Sequence, residues 1–410
     1  MKVLALGGPG AMGTVAVQTA VNIPGVTEIV VADRDLVAAH GLARRLADAP
    51  VPVRAIQVDL TDEARLRAAL APADVVLNTV GPYYRFGLAV LQAAIDSRTH
   101  YLDICDDWEP TLQMLELDAA ARARDVCAII GMGASPGISN MLAAIAAAEL
   151  DWVRDAYTAW PVDVDGAGDT TRDDAQLLGP DGRPSAAAVH WMQQSSGTIT
   201  GVTAGRLSEQ RPLRPVTLQL PGGRRGTAYS IGHPEPITLQ RTLKPTGDAI
   251  NLMVMSTWAM AYLDTLRRDI DKGKLTNEAA AGAFADPNLL RILRSAPTAL
   301  RAKGPGTLPP FFAAVSGTKQ GRPHMVLAHL NLAGPPEDPA HSLLADMARV
   351  TGIPLAIGMA QVIDGSARRP GVHPPEAVID PGRFFEVLDV VLGRPAGSVP
   401  VYLVEQESIG

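Results

Sequence analysis

The first 131 residues alternate between short apolar, β-branched runs and longer runs with helical periodicity. The apolar runs are Lys2–Gly7, Glu28–Asp33, Val53–Asp59, Asp74–Val80, His100–Ile104 and Val126–Gly131. The helical runs between them are Ala11–Ile23, Asp35–Asp48, Asp62–Leu70, Arg85–Asp96 and Pro110–Asp125. Alternation at this spacing indicates βαβ units, whose strands lie parallel in one sheet. The sequence therefore predicts an α/β domain with a doubly wound sheet of six parallel strands.

A different pattern follows Gly137, because proline and glycine repeatedly interrupt the apolar runs. Strands are predicted at Trp152–Asp165, Gly197–Ala204, Arg214–Leu220, Gly226–Ile231, Ile237–Thr242, Phe311–Gly317, Pro323–Leu332 and Val399–Glu405. Helices are predicted at Ile138–Glu149, Ala186–Gln194, Ile250–Arg268, Thr276–Arg294, Ala340–Ile353 and Pro381–Leu392, and a loop at Asp165–Asp174. Such a pattern is typical of an α+β domain with a mixed or antiparallel sheet. We expect residues 1–137 and 138–355 to form the two domains, and 356–410 to return to the first.

The composition excludes several classes of protein. The formal net charge of −7 argues against a non-specific nucleic-acid binder, which would be basic. Two cysteines are too few for a disulfide framework, and the absence of H-x-x-H and C-x-x-C pairs gives no reason to expect a metal. The opening MKVLALGGPG does not resemble a signal peptide, and the apolar run Met141–Ala148 is too short to span a bilayer. We therefore expect a cytoplasmic protein without a membrane partner.

The segment from Gly8 to Gly13, GPGAMG, fits the pattern G-x-G-x-x-G. It follows an apolar strand and begins a helix, which is the arrangement found where Rossmann domains bind a dinucleotide. The glycines allow a tight turn and a close approach of the diphosphate, and the helix N-terminus offers N–H groups to it. We expect the diphosphate to contact Gly8, Gly10, Ala11, Met12 and Gly13.

Asp33 ends the second predicted strand, twenty residues beyond Gly13. A carboxylate at this position can accept hydrogen bonds from the adenosine ribose and repels a 2′-phosphate, which favours NAD. The neighbouring Arg34 can pair with a 2′-phosphate and would favour NADP. The prediction is NAD, with NADP as the alternative.

Further polar residues and glycines follow the third and fourth strands, where open α/β sheets bind their ligands. Asp59 is placed to contact adenine, although capping of the helix that begins near Asp62 would explain it equally well. The fourth strand ends in a segment that we expect to line the cofactor: Asn78, Thr79, Gly81 and Pro82.

Seven stretches, spread over nearly the whole chain, carry a resemblance to a known family: Gly7–Gly13, Val31–Arg34, Asn78–Tyr83, His100–Asp107, Gly131–Asn140, Gly232–Pro236 and Gly371–Glu376. The chain resembles the saccharopine dehydrogenase (saccharopine reductase) superfamily, which includes carboxynorspermidine dehydrogenases and is related to homospermidine synthases. The resemblance implies an NAD(P)-dependent oxidoreductase that interconverts an imine and a secondary amine of a small, amino-acid or polyamine-like substrate. It also implies that the second domain binds the substrate and forms a homodimer.

An imine accepts hydride while its nitrogen is protonated or already an iminium, and a nearby carboxylate would stabilise that positive charge in the transition state. Asp103 and Asp106 follow the fifth strand and are the preferred catalytic carboxylates, with capping of the next helix as the alternative. Tyr83 is a further catalytic candidate as a hydrogen-bond donor, and Tyr84 a candidate wall of the substrate pocket. Simple packing would explain either tyrosine equally well.

The remaining candidates lie after the sixth strand and in the second domain. Ser135 precedes a helix N-terminus that can hold the nicotinamide carboxamide or a substrate carboxylate, unless it only caps that helix. His233 is a candidate general acid, although a histidine in a loop is more often structural. Candidate substrate contacts, besides Tyr84, are Pro136, Gly137, His190 and Glu235.

Two other functions remain open. The chain could reduce a C=C or C=O bond in a larger acyl or natural-product substrate, which would require a wide apolar pocket in the second domain. It could also be a dinucleotide-binding protein without catalytic activity, which would lack a proton donor near the nicotinamide.

Overall fold

The computed structural model describes residues 1–164, 178, 182–331, 343–394 and 401–408. The chain divides into two compact units. The first comprises Met1–Met141 with Asp346–Ser398, and the second comprises Leu142–Ala345 with Val399–Gly410. Each unit is built around its own β-sheet, so each positions its own group of polar side chains.

The sheet of the first unit has seven parallel strands. They are β1 (Lys2–Leu6), β2 (Glu28–Asp33), β3 (Val53–Gln57), β4 (Val75–Asn78), β5 (His100–Asp103), β6 (Cys127–Ile129) and β15 (Gly371–His373). They lie in the order β15-β6-β5-β4-β1-β2-β3. This is the Rossmann order, which reverses between β1 and β4. The predicted fold class is thereby confirmed.

Helices connect these strands: α1 (Ala11–Ala20), α2 (Leu36–Arg45), α3 (Glu63–Leu70), α4 (Tyr83–Ser97), α5 (Trp108–Leu115) and α6 (Asp118–Ala123). The chain passes to the second unit within α7 (Ile138–Ala148). It returns for α13 (Met347–Ile363), a 3-10 turn at Pro375–Ala377, and α14 (Pro381–Val391).

Helix α1 turns a face of small side chains inward, with Ala16, Val17 and Ala20 buried. Helix α13 packs against this helix, and its backbone comes close at Gly352. A Cβ atom at Gly352 would lie 2.5 Å from the carbonyl oxygen of Met12. A late segment of the chain therefore supports the helix that opens at the glycine-rich loop.

Several predictions in the first unit are corrected. The helix predicted at Pro110–Asp125 is two helices, α5 and α6. The seventh strand, β15, was not predicted, because three residues after Pro370 give no periodicity to read. In place of the helix predicted at Ala340–Ile353, the described residues form a 3-10 turn at Leu343–Ala345 and helix α13 at Met347–Ile363, which continues past Pro354.

The second unit contains a mixed sheet. Its strands are β7 (Trp152–Pro161), β8 (Ile199–Thr203), β9 (Arg206–Gln210), β10 (Pro215–Leu220), β11 (Arg224–Ser230), β12 (Ala249–Val254), β13 (Phe312–Lys319), β14 (Arg322–Leu330) and β16 (Tyr402–Ser408). The main order is β10-β11-β12-β7-β13-β14-β16, while β8 pairs with β9 and β12. Among the described strands of this unit, only β7 and β12 pair in parallel.

The helices of this unit are α8 (Ala186–Gln194), α9 (Glu235–Thr242), α10 (Thr257–Asp271), α11 (Asn277–Ala285) and α12 (Leu289–Arg301), with a 3-10 turn at Leu343–Ala345. A core of buried side chains includes Met192, Tyr229, Met253, Leu263 and Leu266. The large sheet residues and the inner faces of α8 and α10 therefore share one apolar layer.

Three predictions in the second unit are wrong. The strand predicted at Ile237–Thr242 is helix α9, which Pro234 and Pro236 start in spite of its β-branched residues. The run from Ile250 was assigned to a helix, but Ala249–Val254 is strand β12, buried at every residue. A fully apolar run has no period that separates a central strand from a buried helix.

The third error is the single helix predicted at Thr276–Arg294, which is α11 and α12 with a break at Asp286–Asn288. Strand β9 was not predicted, and the last strand is Tyr402–Ser408 rather than Val399–Glu405. The loop predicted at Asp165–Asp174 lies outside the described residues, and the strand predicted at Trp152–Asp165 is Trp152–Pro161. In the ranges that the structure describes, no helix has both the length and the apolar character needed to cross a bilayer.

Candidate functional site

The glycine-rich loop joins β1 to α1 and leaves the start of the helix uncapped. Gly7 has a φ of +72°, and the N–H of Gly10 donates to its carbonyl at 2.9 Å. Gly10 is the N-cap residue and offers no side chain to the helix. The first i→i−4 bond is made by the N–H of Thr14 to Gly10 at 2.8 Å. The amides of residues 11–13 therefore lack an intrahelical acceptor, which suits them to bind a diphosphate.

Gly13 is required by the packing behind this loop. A Cβ atom there would lie 2.4 Å from the carbonyl oxygen of Gly7 and 2.8 Å from Oγ1 of Thr79. Thr79 is held in turn, since its hydroxyl donates to the carbonyl of Leu6 at 2.9 Å. The structure thus brings two predicted cofactor contacts, Gly13 and Thr79, together at the β1–β4 switch point.

Asp33 and Arg34 lie together at the end of β2. One oxygen of Asp33 accepts the N–H of Asp35 at 2.9 Å, and within the described residues the other oxygen has no protein partner. Arg34 is exposed, and its carbonyl accepts a hydrogen bond from the side chain of Gln57 at 3.0 Å. Both side chains can therefore meet a ribose or its phosphate.

Asp59 is committed to the turn before α3. Its Oδ1 accepts the N–H and the hydroxyl of Thr61 at 2.9 and 2.7 Å. These bonds stabilise the carboxylate and lower its pKa. The N-cap of α3 is Asp62, whose side chain accepts the N–H of Arg65. An adenine contact by Asp59 therefore remains a prediction beside an evident turn-forming role.

A buried network joins the ends of β4 and β5. The side chain of Asn78 donates to the hydroxyl of Tyr101 at 3.0 Å, and that hydroxyl donates to Oδ2 of Asp103 at 2.8 Å. Oδ1 of Asp103 accepts the N–H groups of Cys105 and Gly131 at 3.1 and 2.6 Å. Asp103 therefore ties the fifth strand to the loop after the sixth.

Burial raises the pKa of Asp103 to about 6, and the hydrogen bonds from Gly131, Cys105 and Tyr101 offset part of that rise. The carboxylate is fully buried, and both of its oxygens accept hydrogen bonds from protein groups. This arrangement favours a positioning role for Asp103. Asp106, three residues later, is half-buried.

The two tyrosines after Pro82 have different surroundings. Tyr83 begins α4 and is buried, and its hydroxyl donates to the carbonyl of Asn78 at 2.8 Å. Burial raises the pKa of this hydroxyl well above its usual range. Tyr84 is 60% exposed. A Cβ atom at Gly81 would meet no heavy atom within 4 Å, so the turn before them opens into free space.

The loop after β6 meets the segment that follows β15. The N–H of Gly137, which has a φ of +127°, donates to Oδ1 of Asn140 at 2.9 Å. The Asn140 amide donates to Oε2 of Glu376 at 2.9 Å. Ser135 and Pro136 lie in this loop at the carboxyl end of the sheet. Two motifs more than 230 residues apart, Gly131–Asn140 and Gly371–Glu376, are therefore in direct contact.

The second unit holds its own buried polar cluster around Glu235. His233 is 4% exposed and Glu235 is fully buried, and Nδ1 of His233 lies 3.2 Å from Oε2 of Glu235. The side chain of Asn251 donates to Oε1 of Glu235 at 2.8 Å. The loop before α9 and the central strand β12 thus position one histidine–carboxylate pair.

Two further side chains complete this cluster. The amide of Asn251 also donates to the hydroxyl of Thr158 at 3.0 Å, and the indole N–H of Trp160 donates to Oδ1 of Asn251 at 3.0 Å. The Trp160 ring lies 5.8 Å from the His233 ring. The imidazole is therefore held between an aromatic face and a carboxylate. His190 is half-buried on α8.

A cavity of about 780 Å³ lies elsewhere in the second unit. It is lined by Gly197, Thr198, Glu209, Gln210, Arg211, Arg267, Arg268, Asp271 and Lys272, none of which is a predicted site residue. Its arginines are already paired, since Arg267 binds Asp264 and Asp271 and both Arg211 and Arg268 approach Asp264. The pairing leaves this cavity with little capacity to hold a charged substrate.

Sequence reasoning missed four residues that these networks depend on: Tyr101, Asn140, Asn251 and Glu376. Asn251 had a usable signal, since one amide stands within the apolar run from Ile250 to Met255. A buried polar group in such a run requires hydrogen-bond partners. Tyr101 and Glu376 carried no comparable signal, because their partners lie far away in sequence.

Residues 3–129 match the family model of the saccharopine dehydrogenase NADP binding domain. The match covers the strands and helices that build the glycine-rich loop and the Asp103 network. It confirms the resemblance to a saccharopine dehydrogenase-like family and the expectation of an NAD(P) cofactor. The more specific relatives suggested by the motifs are not tested by it.

Several solved structures are similar to this chain at low identity. GenD2 from gentamicin A biosynthesis, in complex with NAD, is 14% identical at a TM-score of 0.38, over 100% of this chain and 96% of that chain. An oxidoreductase from Agrobacterium radiobacter, in complex with NAD⁺, L-tartaric acid and magnesium, is 10% identical at a TM-score of 0.40. The match covers 89% of this chain and 87% of that chain. Pen from Bacillus thuringiensis is 14% identical at a TM-score of 0.28, over 32% of this chain and 50% of that chain. This chain thus spans only half of Pen.

Proposed function

We propose that the chain is a saccharopine dehydrogenase-like NAD(P)-dependent oxidoreductase that transfers hydride between nicotinamide and the C=N bond of an imine. The reduced product is a secondary amine, and the substrate is a small molecule of amino-acid or polyamine type. The observation that carries this proposal is the uncapped first turn of α1 behind the glycine-rich loop, within a domain that matches this family.

The residues around that turn fit a dinucleotide. Three helix amides and no acidic side chain stand in the first turn of α1, so nothing repels a diphosphate there. The open carboxylate oxygen of Asp33 suits an unmodified ribose, which favours NAD over NADP. When bound, the nicotinamide supplies or receives the hydride.

Reduction of an imine also requires a proton at nitrogen, in addition to the hydride at carbon. His233 is the proposed proton donor, because Glu235 lies 3.2 Å from its Nδ1 and orients the imidazole. Asn251 is a positioning residue because its side chain donates to Glu235. Trp160 is one because its indole N–H donates to Asn251. Asp106 is the proposed carboxylate of the first unit, because both oxygens of Asp103 already accept hydrogen bonds.

Deuterium tracing tests the reaction directly. NADH deuterated at C4 is incubated with the full chain and a panel of α-keto acids, each with and without primary amines. In the incubations with an amine, we expect deuterium at the carbon of the new secondary amine. In the incubations without an amine, we expect no deuterium in any product of the keto acid. Deuterium in a hydroxy acid, or in a reduced enoyl compound added to the panel, would replace this proposal with one of C=O or C=C reduction.

The histidine assignment has a matched control. His233→Gln is expected to lower kcat by about a hundredfold or more, because general acid catalysis typically contributes that much. His40→Gln changes an exposed histidine on α2 and should leave kcat unaltered. The affinity for the nucleotide should be unchanged in both variants. A His233→Gln enzyme with full kcat would remove the histidine from the mechanism but leave the deuterium result standing.

A further inference from the structure

Helix α12 turns its leucines outward. Leu289, Leu290, Leu293 and Leu300 are 69%, 75%, 60% and 83% exposed. At 100° per residue these four side chains lie within an arc of about 100° of the helix surface. The buried residues of the helix are the small Ser295 and Ala299. A contiguous apolar face of this kind usually marks an interaction surface.

All charged side chains on and just beyond this helix are cationic. Between Asn288 and Lys303 the sequence contains Arg291, Arg294, Arg301 and Lys303 and no carboxylate. Asp269 of α10 pairs with Arg294 at 2.9 Å and with Arg291 at 3.8 Å. Within the described part of the chain, Arg301 and Lys303 have no carboxylate partner, so the C-terminal end of the leucine face keeps its positive charge.

This charge pattern decides between the possible occupants. A second copy of the same helix would bring Arg301 and Lys303 again and no carboxylate from α12 to pair with them, which is unfavourable across a self-complementary interface. An anionic surface matches both features, because it offers an apolar layer beneath negative headgroups.

The geometry points to an anionic lipid surface as the partner of α12. The helix would lie in the plane of the membrane interface, with its leucines among the acyl chains and Arg301 and Lys303 at the phosphate groups. Trp258, near the start of α10, is a further exposed apolar side chain of this unit, at 52%. Tryptophan is favoured at membrane interfaces.

This contact is peripheral and agrees with the finding that no described helix is suited to cross a bilayer. It differs from the sequence-based expectation that the protein has no membrane partner. That expectation rested on the lack of a signal peptide and of a run long enough to span a bilayer, and the helix predicted at Thr276–Arg294 omitted the last part of the leucine face. The inference does not depend on the proposed reaction.

Vesicle co-sedimentation of the full chain tests the inference. Vesicles of phosphatidylcholine alone are compared with vesicles that contain about one third phosphatidylglycerol, a fraction that gives a negative surface potential. We expect binding to the anionic vesicles, loss of most of it at high salt because the charges are screened, and weak binding to the neutral ones. Tryptophan emission should shift to shorter wavelength on binding, and Trp258→Phe should reduce that shift.

Two variants separate the apolar and charged contributions. Leu290→Asp with Leu293→Asp, and separately Arg301→Glu with Lys303→Glu, should each weaken vesicle binding by about tenfold or more. The control is Val390→Asp, which changes an apolar residue that is 77% exposed on α14 and should bind like the wild type. Circular dichroism and thermal unfolding establish that each variant is folded.

Three results would overturn the inference. One is the absence of wild-type binding to anionic vesicles, and another is equal loss in the Val390→Asp control. The third is a lipid-free dimer, seen by light scattering, that the leucine variants convert to monomers, since this would assign the face to a second copy.

Discussion

Gly13 is the residue at which the proposed cofactor loop tolerates least change. Gly13→Ala would place a methyl group against the Gly7 carbonyl and the Thr79 hydroxyl, so the loop must move. We expect the dissociation constant for NAD to rise by about tenfold or more, because the helix amides lose their alignment with the diphosphate.

Calorimetric titration measures this change, with Gly41→Ala as the control. Gly41 lies on α2, where the nearest atom to a new Cβ is 3.8 Å away. The control should keep the wild-type affinity. Unchanged affinity in Gly13→Ala would mean that the diphosphate does not bind at this loop.

The buried carboxyl of Asp103 leads to a prediction about how the stability of the protein depends on pH. The unfolded carboxyl has a pKa near 3.8, whereas burial raises it to about 6 in the folded chain. Between these values the folded state binds a proton that the unfolded state lacks, so the contribution of Asp103 to stability falls as pH rises. The loss is complete above pH 6 and amounts to about 3 kcal/mol at most.

Urea unfolding of the wild type and of Asp103→Asn measures that contribution. The wild type should lose stability relative to the variant by up to about 3 kcal/mol between about pH 4 and pH 7. The comparison cancels titrations that both proteins share. A constant difference at all pH values would mean that the Asp103 carboxyl does not titrate abnormally.

At the scale of elements, the packing of α13 on α1 links the C-terminal segment to the cofactor loop. Gly352→Ala would push a methyl group to 2.5 Å from the Met12 carbonyl. We expect this variant to lose about 1–3 kcal/mol of stability, as overpacked sites do, and to bind NAD more weakly. Thermal unfolding and calorimetry measure the two effects.

The matched control is Gly382→Ala in the first turn of α14, where the nearest atom lies at 3.4 Å. It should change stability by less than about 0.5 kcal/mol and leave binding unaltered. If both variants behave alike, α13 does not support the loop through Gly352.

The elements show why sequence predicts some of this fold and not the rest. The parallel strands β1 to β6 were predictable because each is bounded by glycine or a charged residue and followed by an amphipathic helix. Strand β12 was not, because burial at all six residues removes the alternation that marks a strand. Helix α9 was missed because a proline start outweighs the β-branched residues that follow.

The candidate site divides in the same way. Gly10, Gly13 and Asp33 could be located because backbone geometry dictates a residue type at a set spacing along the chain. The contact between Asn140 and Glu376 could not, because it depends on the seventh strand returning beside the sixth. The distance between residues in sequence, rather than their chemistry, limited the prediction.

For the whole molecule, the fold class and the cofactor class follow from the first 131 residues. The substrate does not, because hydride transfer places few demands on sequence outside the cofactor domain. The proposed proton donor, His233 held by Glu235, and the proposed lipid contact of α12 both belong to the second unit. Either proposal can be wrong while the protein still binds the cofactor.

Calorimetric titration of the full-length wild type with NAD and NADP tests the central claim most directly, since that claim is that the first turn of α1 binds the diphosphate. We predict saturable binding of one nucleotide per chain, tighter for NAD than for NADP because of Asp33. Tighter binding of NADP would mean that Arg34, rather than Asp33, selects the ribose, and the claim about the diphosphate would still stand. The absence of saturable heat with either nucleotide would contradict it.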